Sequence, residues 1–178
     1  TPLIHGGHHE KNRRAGTENV AGIAGFGKAA ELAREGIKED SANIRILRDR
    51  LGKGILDNIK HTYLNGHPEN RLCNTVNISF EFLEGEGIIL NLDMEGVGVS
   101  TGSACTSGSL EPSHVLTAMG IDAVRTQGSI RFSLGKGNTE GDVGYVVRIL
   151  PPIIERLRKM SPLYKEKPET SNQKPDTR

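Results

Sequence analysis

The side chain best suited to chemistry in this sequence is the thiol of Cys105, and its surroundings are unusual for a cysteine. It stands in the run Gly98 to Pro112, G-V-S-T-G-S-A-C-T-S-G-S-L-E-P, made almost wholly of small residues. Such residues give the run no core to bury, and its glycines reach backbone angles closed to other residues. Loops of this length without structure of their own are either functional or disordered. Apolar segments flank it, Ile88 to Leu92 before and Val115 to Met119 after, so the pattern predicts anchored ends around a free middle. A thiol attacks as its thiolate, which needs exposure and an influence that lowers its pKa. The loop supplies the first, and a helix N-terminus expected near Pro112 supplies the second. The chemistry suggested is nucleophilic attack by a thiol on a tethered arm. Cys73, beside Leu72 and Asn74, reads instead as a small packed residue.

A second cluster lies near the start. His5 to Asn19, H-G-G-H-H-E-K-N-R-R-A-G-T-E-N, gathers His5, His8, His9, Lys11, Arg13 and Arg14. It reads either as a solvated loop or as an anion site. Gly16-Thr17-Glu18-Asn19 ends where a helical pattern opens at Val20, and backbone N–H groups, the Thr17 hydroxyl and the helix dipole there favour a phosphate. Adjacent His8 and His9 are badly spaced for two ligands on one helical face, and no Cys-x-x-Cys pair exists, so no structural metal is expected. His114 follows Cys105 by nine residues. It is the nearest base for a cysteine-protease reading, but nothing in the pattern turns it towards the thiol.

These residues must be positioned by a chain of 178 residues, 25% charged, with a formal net charge of +1. That size suits one or two compact units. The balanced charge gives no reason to invoke nucleic acid or an acidic membrane surface. No apolar run approaches the roughly 20 residues that span a bilayer. Two cysteines are too few for a disulfide scaffold, which makes a reducing cytoplasm the expected compartment, although a Cys73–Cys105 bridge stays open on sequence alone. The start, Thr1-Pro2-Leu3-Ile4, lacks the regions of a signal peptide and an initiator Met, and reads as an entry into the back part of a longer chain.

Helical periodicity predicts one helix over Val20 to Arg34 and a second from about Glu39 to Asn58, with Gly36 at their joint. Tyr63-Leu64-Asn65-Gly66-His67-Pro68 reads as a short strand entering a turn. Thr75 to Phe80 and Ser129 to Leu134 alternate apolar and polar residues as strands do. Gly85 to Met94 reads as a helix and Val97 to Val99 as a short strand. Pro112 suits a helix's first turn. Thr139 and Asp142 have capping-box spacing, opening a helix with the stripe Val143, Val146, Val147, Leu150, Ile153, Ile154 and Leu157. Pro151-Pro152 should kink or divide that helix. The polar tail beyond Lys159 reads as disordered. The alternating order predicts an α/β or α+β unit, a small sheet covered by helices.

Three stretches, in order, carry a resemblance that spans roughly residues 1–160. S-T-G-S-A-C-T-S-G-S-L-E-P-S-H-V-L-T-A-M-G at 100–120 resembles the active-site loop of the cysteine desulfurases, pyridoxal-phosphate enzymes that supply sulfur for iron–sulfur clusters. The His5 to Asn19 loop resembles the one with which that family reaches a cofactor phosphate across a dimer, and G-S-I-R-F-S-L-G at 128–135 resembles its substrate-carboxylate strand. The resemblance implies the C-terminal domain of a fold type I pyridoxal-phosphate enzyme. It implies that Cys105 takes the sulfur of L-cysteine as a persulfide, releasing L-alanine and passing the sulfur to a scaffold or other acceptor protein. It also implies that Arg131 holds the substrate carboxylate, that Thr17 donates to the phosphate of a neighbouring subunit's cofactor, and that the protein is a homodimer. Transient iron ligation by Cys105 is compatible with thiolate chemistry.

The family's Schiff-base lysine, with its partner Asp and His, lies upstream of the part matched here, and Lys11 is not in the lysine motif. The chain is therefore expected to hold the end of a large cofactor domain (1–37), a small domain (38–160) and a tail (161–178), and to be inactive without an amino-terminal part. A different class of reading keeps only a mobile thiol and a docking surface, as a non-catalytic sulfur carrier. That reading leaves Arg131 and Thr17 without a task.

Overall fold

The computed structural model describes residues 2–101 and 112–164. In chain order the elements are β1 (His8–His9), β2 (Arg14–Ala15), α1 (Val20–Asn58), β3 (Thr62–Asn65), β4 (Thr75–Phe80), α2 (Gly85–Met94), β5 (Ser100–Thr101), α3 (His114–Ala118), α4 (Ala123–Gln127), β6 (Ser129–Ser133) and α5 (Glu140–Met160). The chain divides into two compact units, with the boundary between Asp40 and Ser41.

In the first unit β1 and β2 pair antiparallel, His8 opposite Ala15 and His9 opposite Arg14. The turn between them holds Glu10, Lys11 and Asn12 at φ of 49°, 53° and 67°, a left-handed run that side chains rarely adopt. Asn19 ends the loop by capping α1, its Oδ1 accepting from the Gly22 N–H at 3.0 Å. Along the start of α1, Val20, Ile23 and Phe26 are exposed, Phe26 at 78%.

In the second unit the alternation of β4 and β6 determines the architecture. The two strands pair antiparallel, Val76 opposite Phe132 and Ile78 opposite Ile130. β3 joins the outer side of β4 and β5 the outer side of β6, giving an antiparallel sheet in the order β3-β4-β6-β5. One face is apolar. Val76, Ile78, Phe80, Ile130 and Phe132 pack there in a core with Leu51 and Ile55 of α1, Ile88 and Leu92 of α2, and Leu150, Ile153 and Ile154 of α5. Each such side chain, once fully buried, contributes about 1.5–3 kcal/mol. Gly54 lets α1 and α5 meet, since a Cβ there would lie 2.7 Å from Val147 Cγ2.

The helix over Gly85–Met94 and both alternating strands form as the sequence pattern predicts, and the Thr139–Asp142 capping box is complete. Four expectations are corrected. α1 is a single helix: Gly36 costs about 1 kcal/mol in a helix interior, too little to break it. α5 runs unbroken through Pro151 and Pro152, because its buried stripe anchors both halves and outweighs two missing N–H donors. The edge strand beside β6 is Ser100–Thr101 and not Val97 to Val99, and α3 starts at His114 with Ser113 as N-cap, past Pro112. Past α5 the Ser161 hydroxyl donates to Phe82 O at 2.7 Å and the Tyr164 ring lies against that of Phe82. Among the described residues no helix is long and apolar enough to cross a membrane.

Candidate active site

Strand alternation sends every second residue of the sheet away from the core, and the second unit's site grows from that polar face. Arg131 lies there, between Ile130 and Phe132 whose side chains enter the core. Its register partners are Asn77 on β4 and Ser100 on β5. Asn77 in turn stands opposite Asn65 on β3. One row thus crosses all four strands: Asn65, Asn77, Arg131, Ser100. The neighbouring row places Tyr63 opposite Ser79 and Ser79 opposite Ser129.

This face is incompletely satisfied. Asn65 Nδ2 donates to Asn77 Oδ1 at 2.6 Å and to Ser79 Oγ at 2.8 Å. Ser129 Oγ and Arg131 Nε, by contrast, are buried without a hydrogen-bond partner among the described residues. Among the described residues Arg131 makes no side-chain hydrogen bond or ion pair, although the residue is half-buried. A second cation borders the face, Arg125, whose guanidinium lies 3.9 Å from the centre of the Tyr63 ring. A guanidinium is always charged, and one left unpaired in a partly buried place is costly. The arrangement suits a planar anion, for which Arg provides a two-pronged grip.

The positions singled out in the sequence fall in different places. Arg131 is in the second unit and Thr17 in the first. Cys105 lies outside the described residues, and so does nearly all of the stretch that resembles an active-site loop. The last described residue before that stretch, Thr101, belongs to β5, the strand paired with Arg131. Pro112 and the buried Ser113 resume the chain after it. Cys73 is half-buried and carries a free thiol. Thr17 is exposed, between Gly16 in the left-handed region at φ 80° and the Asn19 cap. Arg14 curls over this corner, Nη1 donating to the carbonyls of Ala15, Gly16 and Thr17 at 3.0, 2.6 and 3.2 Å. The open helix N-terminus expected for an anion is thus partly occupied by Asn19. What remains offered is the Thr17 hydroxyl, which makes no hydrogen bond among the described residues. Beside β1 and β2 a cleft of about 260 Å3 is lined by His5, Gly6, Gly7, His8 and Arg14 among others. Among the described residues no cluster of three or more metal-ligating side chains exists.

The sequence reading missed Asn65, Asn77, Ser79 and Ser129. Asn77 and Ser79 were signalled by the polar positions of T-V-N-I-S-F, Asn65 by T-Y-L-N and Ser129 by S-I-R-F-S, but which of them neighbour Arg131 depends on strand register.

Comparison with known proteins agrees with this architecture. The sequence profile of the family described as aminotransferase class-V matches residues 5–146. A cysteine desulfurase of Gluconacetobacter diazotrophicus is 55% identical over 163 residues, which are 92% of this chain and 41% of the relative. Cysteine desulfurase NifS of Azotobacter vinelandii is 50% identical over 163 residues, 92% of this chain and 40% of the relative. The chain thus spans about two fifths of the length of the curated relatives it matches. Among solved structures, a NifS-like protein superposes with a TM-score of 0.75 at 36% identity, covering 88% of this chain and 39% of that one. A NifS-like protein from Rickettsia africae gives a TM-score of 0.73 at 34% identity, over 87% and 40% of the two chains. The small antiparallel sheet with its helices matches the C-terminal domain of fold type I pyridoxal-phosphate enzymes. By the profile over most of its length and by the fold it shares with NifS-like proteins, this chain belongs to the class-V aminotransferase family.

Proposed function

We propose that this chain is the carboxy-terminal part of a cysteine desulfurase, which removes sulfur from L-cysteine and leaves it as a persulfide on Cys105. The observation that carries the reading is Arg131, a half-buried guanidinium that is unpaired among the described residues, on a polar sheet face whose edge strand continues in sequence to Cys105. Cys105 is five positions beyond Ser100, a tether of at most about 18 Å, so the thiol is within range of a substrate held at Arg131.

Arg131 grips the α-carboxylate of L-cysteine through two parallel N–H···O bonds. The Cys105 thiolate attacks the substrate sulfur: an S–S bond forms, the Cβ–S bond breaks, and its electron pair stays with Cβ. That carbon takes a proton and becomes the methyl group of L-alanine. The atoms balance without an external oxidant or reductant. Pyridoxal phosphate, when bound, supplies the electron sink that this bond cleavage requires. The exposed and unbonded Thr17 hydroxyl, on a corner rich in Arg, Lys and His, fits the phosphate end of that cofactor, and in this reading serves the site of a second subunit in a homodimer. The Schiff-base lysine belongs to an amino-terminal part. The exposed Val20, Ile23 and Phe26 on α1 are consistent with a surface that such a part covers. The persulfide is then handed to an iron–sulfur scaffold or another acceptor, in the cytoplasm.

A non-catalytic sulfur carrier would have no use for an unpaired guanidinium in the sheet, which disfavours that alternative. The test is intact mass after incubating the chain with a separately supplied amino-terminal part, pyridoxal phosphate and L-cysteine. The expected result is a gain of one sulfur that is absent from Cys105→Ser. No gain in a cofactor-loaded assembly would sink the proposal in favour of the carrier.

A further inference from the structure

The row that holds Arg131 contains a second unspent donor. Backbone bonds join Phe80 N to Gly128 O at 2.9 Å and Leu134 N to Asn74 O at 2.8 Å. The strict alternation of an antiparallel ladder then makes Asn77 and Arg131 a pair without backbone hydrogen bonds between them. Side chains approach closest in such pairs, with Cβ atoms about 4.5–5.5 Å apart. On its other side Asn77 meets Asn65, 8% exposed, whose two amide hydrogens are both used, on Asn77 Oδ1 and on Ser79 Oγ. The opposite orientation of the Asn77 amide would set NH2 against NH2. Oδ1 therefore faces β3, and Nδ2 takes the branch turned away from it. Among the described residues Nδ2 donates to nothing. Neither it nor the guanidinium can accept a hydrogen bond, so they cannot satisfy one another, but an anion between them satisfies both.

We infer that Asn77 Nδ2 is a second donor to the substrate's α-carboxylate, shared with Arg131, and that Asn65 is the positioning residue that holds the amide in that orientation. The inference rests on the reading of Arg131 as the carboxylate anchor. A carboxylate offers about four lone-pair sites, so a two-pronged guanidinium leaves room for the amide. The pairing favours a free carboxylate over an ester or amide at that end of the substrate.

The test uses the protein assembled with its amino-terminal part and loaded with pyridoxal phosphate. Asn77→Asp keeps the shape and the bond from Asn65 but turns the donor into an anion beside Arg131. It should lower kcat/KM for L-cysteine by about 10- to 100-fold, with the loss carried by KM, and weaken L-alanine binding in parallel. Asn65→Leu should show the same KM-weighted pattern at about 3- to 10-fold, since the donor is loosened and not removed. If Arg131→Lys raises KM while Asn77→Asp does not, the inference fails and the Arg131 reading stands. If neither changes KM, the Arg131 reading itself falls. A readout on the unaltered side chain covers the case in which a variant misfolds. In protein labelled with 15N at asparagine, the Asn77 side-chain amide signals should move when L-alanine is added, and signals that stay in place overturn the inference.

Discussion

Replacing Arg131 by Met separates a binding arginine from a structural one. Met keeps the length and apolar character of the stem, so the substitution chiefly removes the charged head. In an arginine that serves the fold, that head is paired, and removing it from a buried pair costs about 3–5 kcal/mol. Here Nε is buried and unpartnered, and among the described residues no ion pair offsets its desolvation. An orphaned buried donor costs about 1–3 kcal/mol, and the rest of this head is open enough to keep part of its hydration, so a net gain of about 1 kcal/mol is expected. For a chain of this size that corresponds to a rise of roughly 2–4 °C in Tm. In the assembled protein the same change should weaken L-alanine binding by at least about 100-fold, as expected when one half of a charged hydrogen-bonded pair is removed. Thermal unfolding followed by circular dichroism and a binding titration measure the two effects. A fall in Tm of several degrees would show that Arg131 holds the sheet together, and the argument from its unpaired state would be wrong.

Three other perturbations probe the frame. A Cβ on Gly128 would lie 2.3 Å from Phe80 O and 2.8 Å from Leu83 O, both backbone atoms, so Gly128→Ala should destabilise by at least about 3 kcal/mol. An unchanged urea midpoint would contradict that packing. Asp142 is held below its ordinary value of 3.8, first by the backbone N–H of Thr139 and then by its hydroxyl. A depressed folded pKa stabilises the fold above the unfolded value and loses that contribution as pH falls through the folded one. The Tm difference between the wild type and Asp142→Asn should therefore be present at pH 5–7 and shrink below about pH 4; a difference that stays constant would rule the cap's charge out. Phe26 is 78% exposed, so Phe26→Ser should leave the Tm of the chain unchanged while weakening its assembly with an amino-terminal part, read by size-exclusion chromatography. Unchanged assembly would remove α1 from that interface.

The sequence showed the frame more clearly than the site. Apolar residues at 76, 78, 80, 130 and 132 declare two strands and the face they bury, because a period of two has one consistent partner surface. Local preference alone predicts a joint at Gly36 and a kink or division at Pro151-Pro152. At Pro151-Pro152 the burial of Leu150, Ile153 and Ile154 outweighs the local penalty, whereas at Gly36 a penalty of about 1 kcal/mol is by itself too small to end the helix. The site is harder to read for a different reason. Alternation places Arg131 on the polar face, but its neighbours Asn77 and Ser100 lie 54 and 31 positions away and meet it only through register.

The two faces of β6 also explain why such a site can exist without weakening the fold. Ile130 is fully buried and Phe132 nearly so, and between them they anchor the strand to the core. Arg131, on the other face, is then held in place by neighbours that do not depend on its own contacts. A side chain fixed in this way can stay unpaired until a ligand arrives, and the energy of ordering it is already met by the core. If that is the design, enlarging the void on the apolar face should loosen the anion grip opposite. Phe132→Leu, which leaves the polar row untouched, should lower Tm and also raise the Kd for L-alanine, whereas Val143→Ala on α5 should lower Tm with little effect on Kd. Equal effects of both variants on Kd at matched stability would mean that the site depends on global stability and not on the strand that carries Arg131.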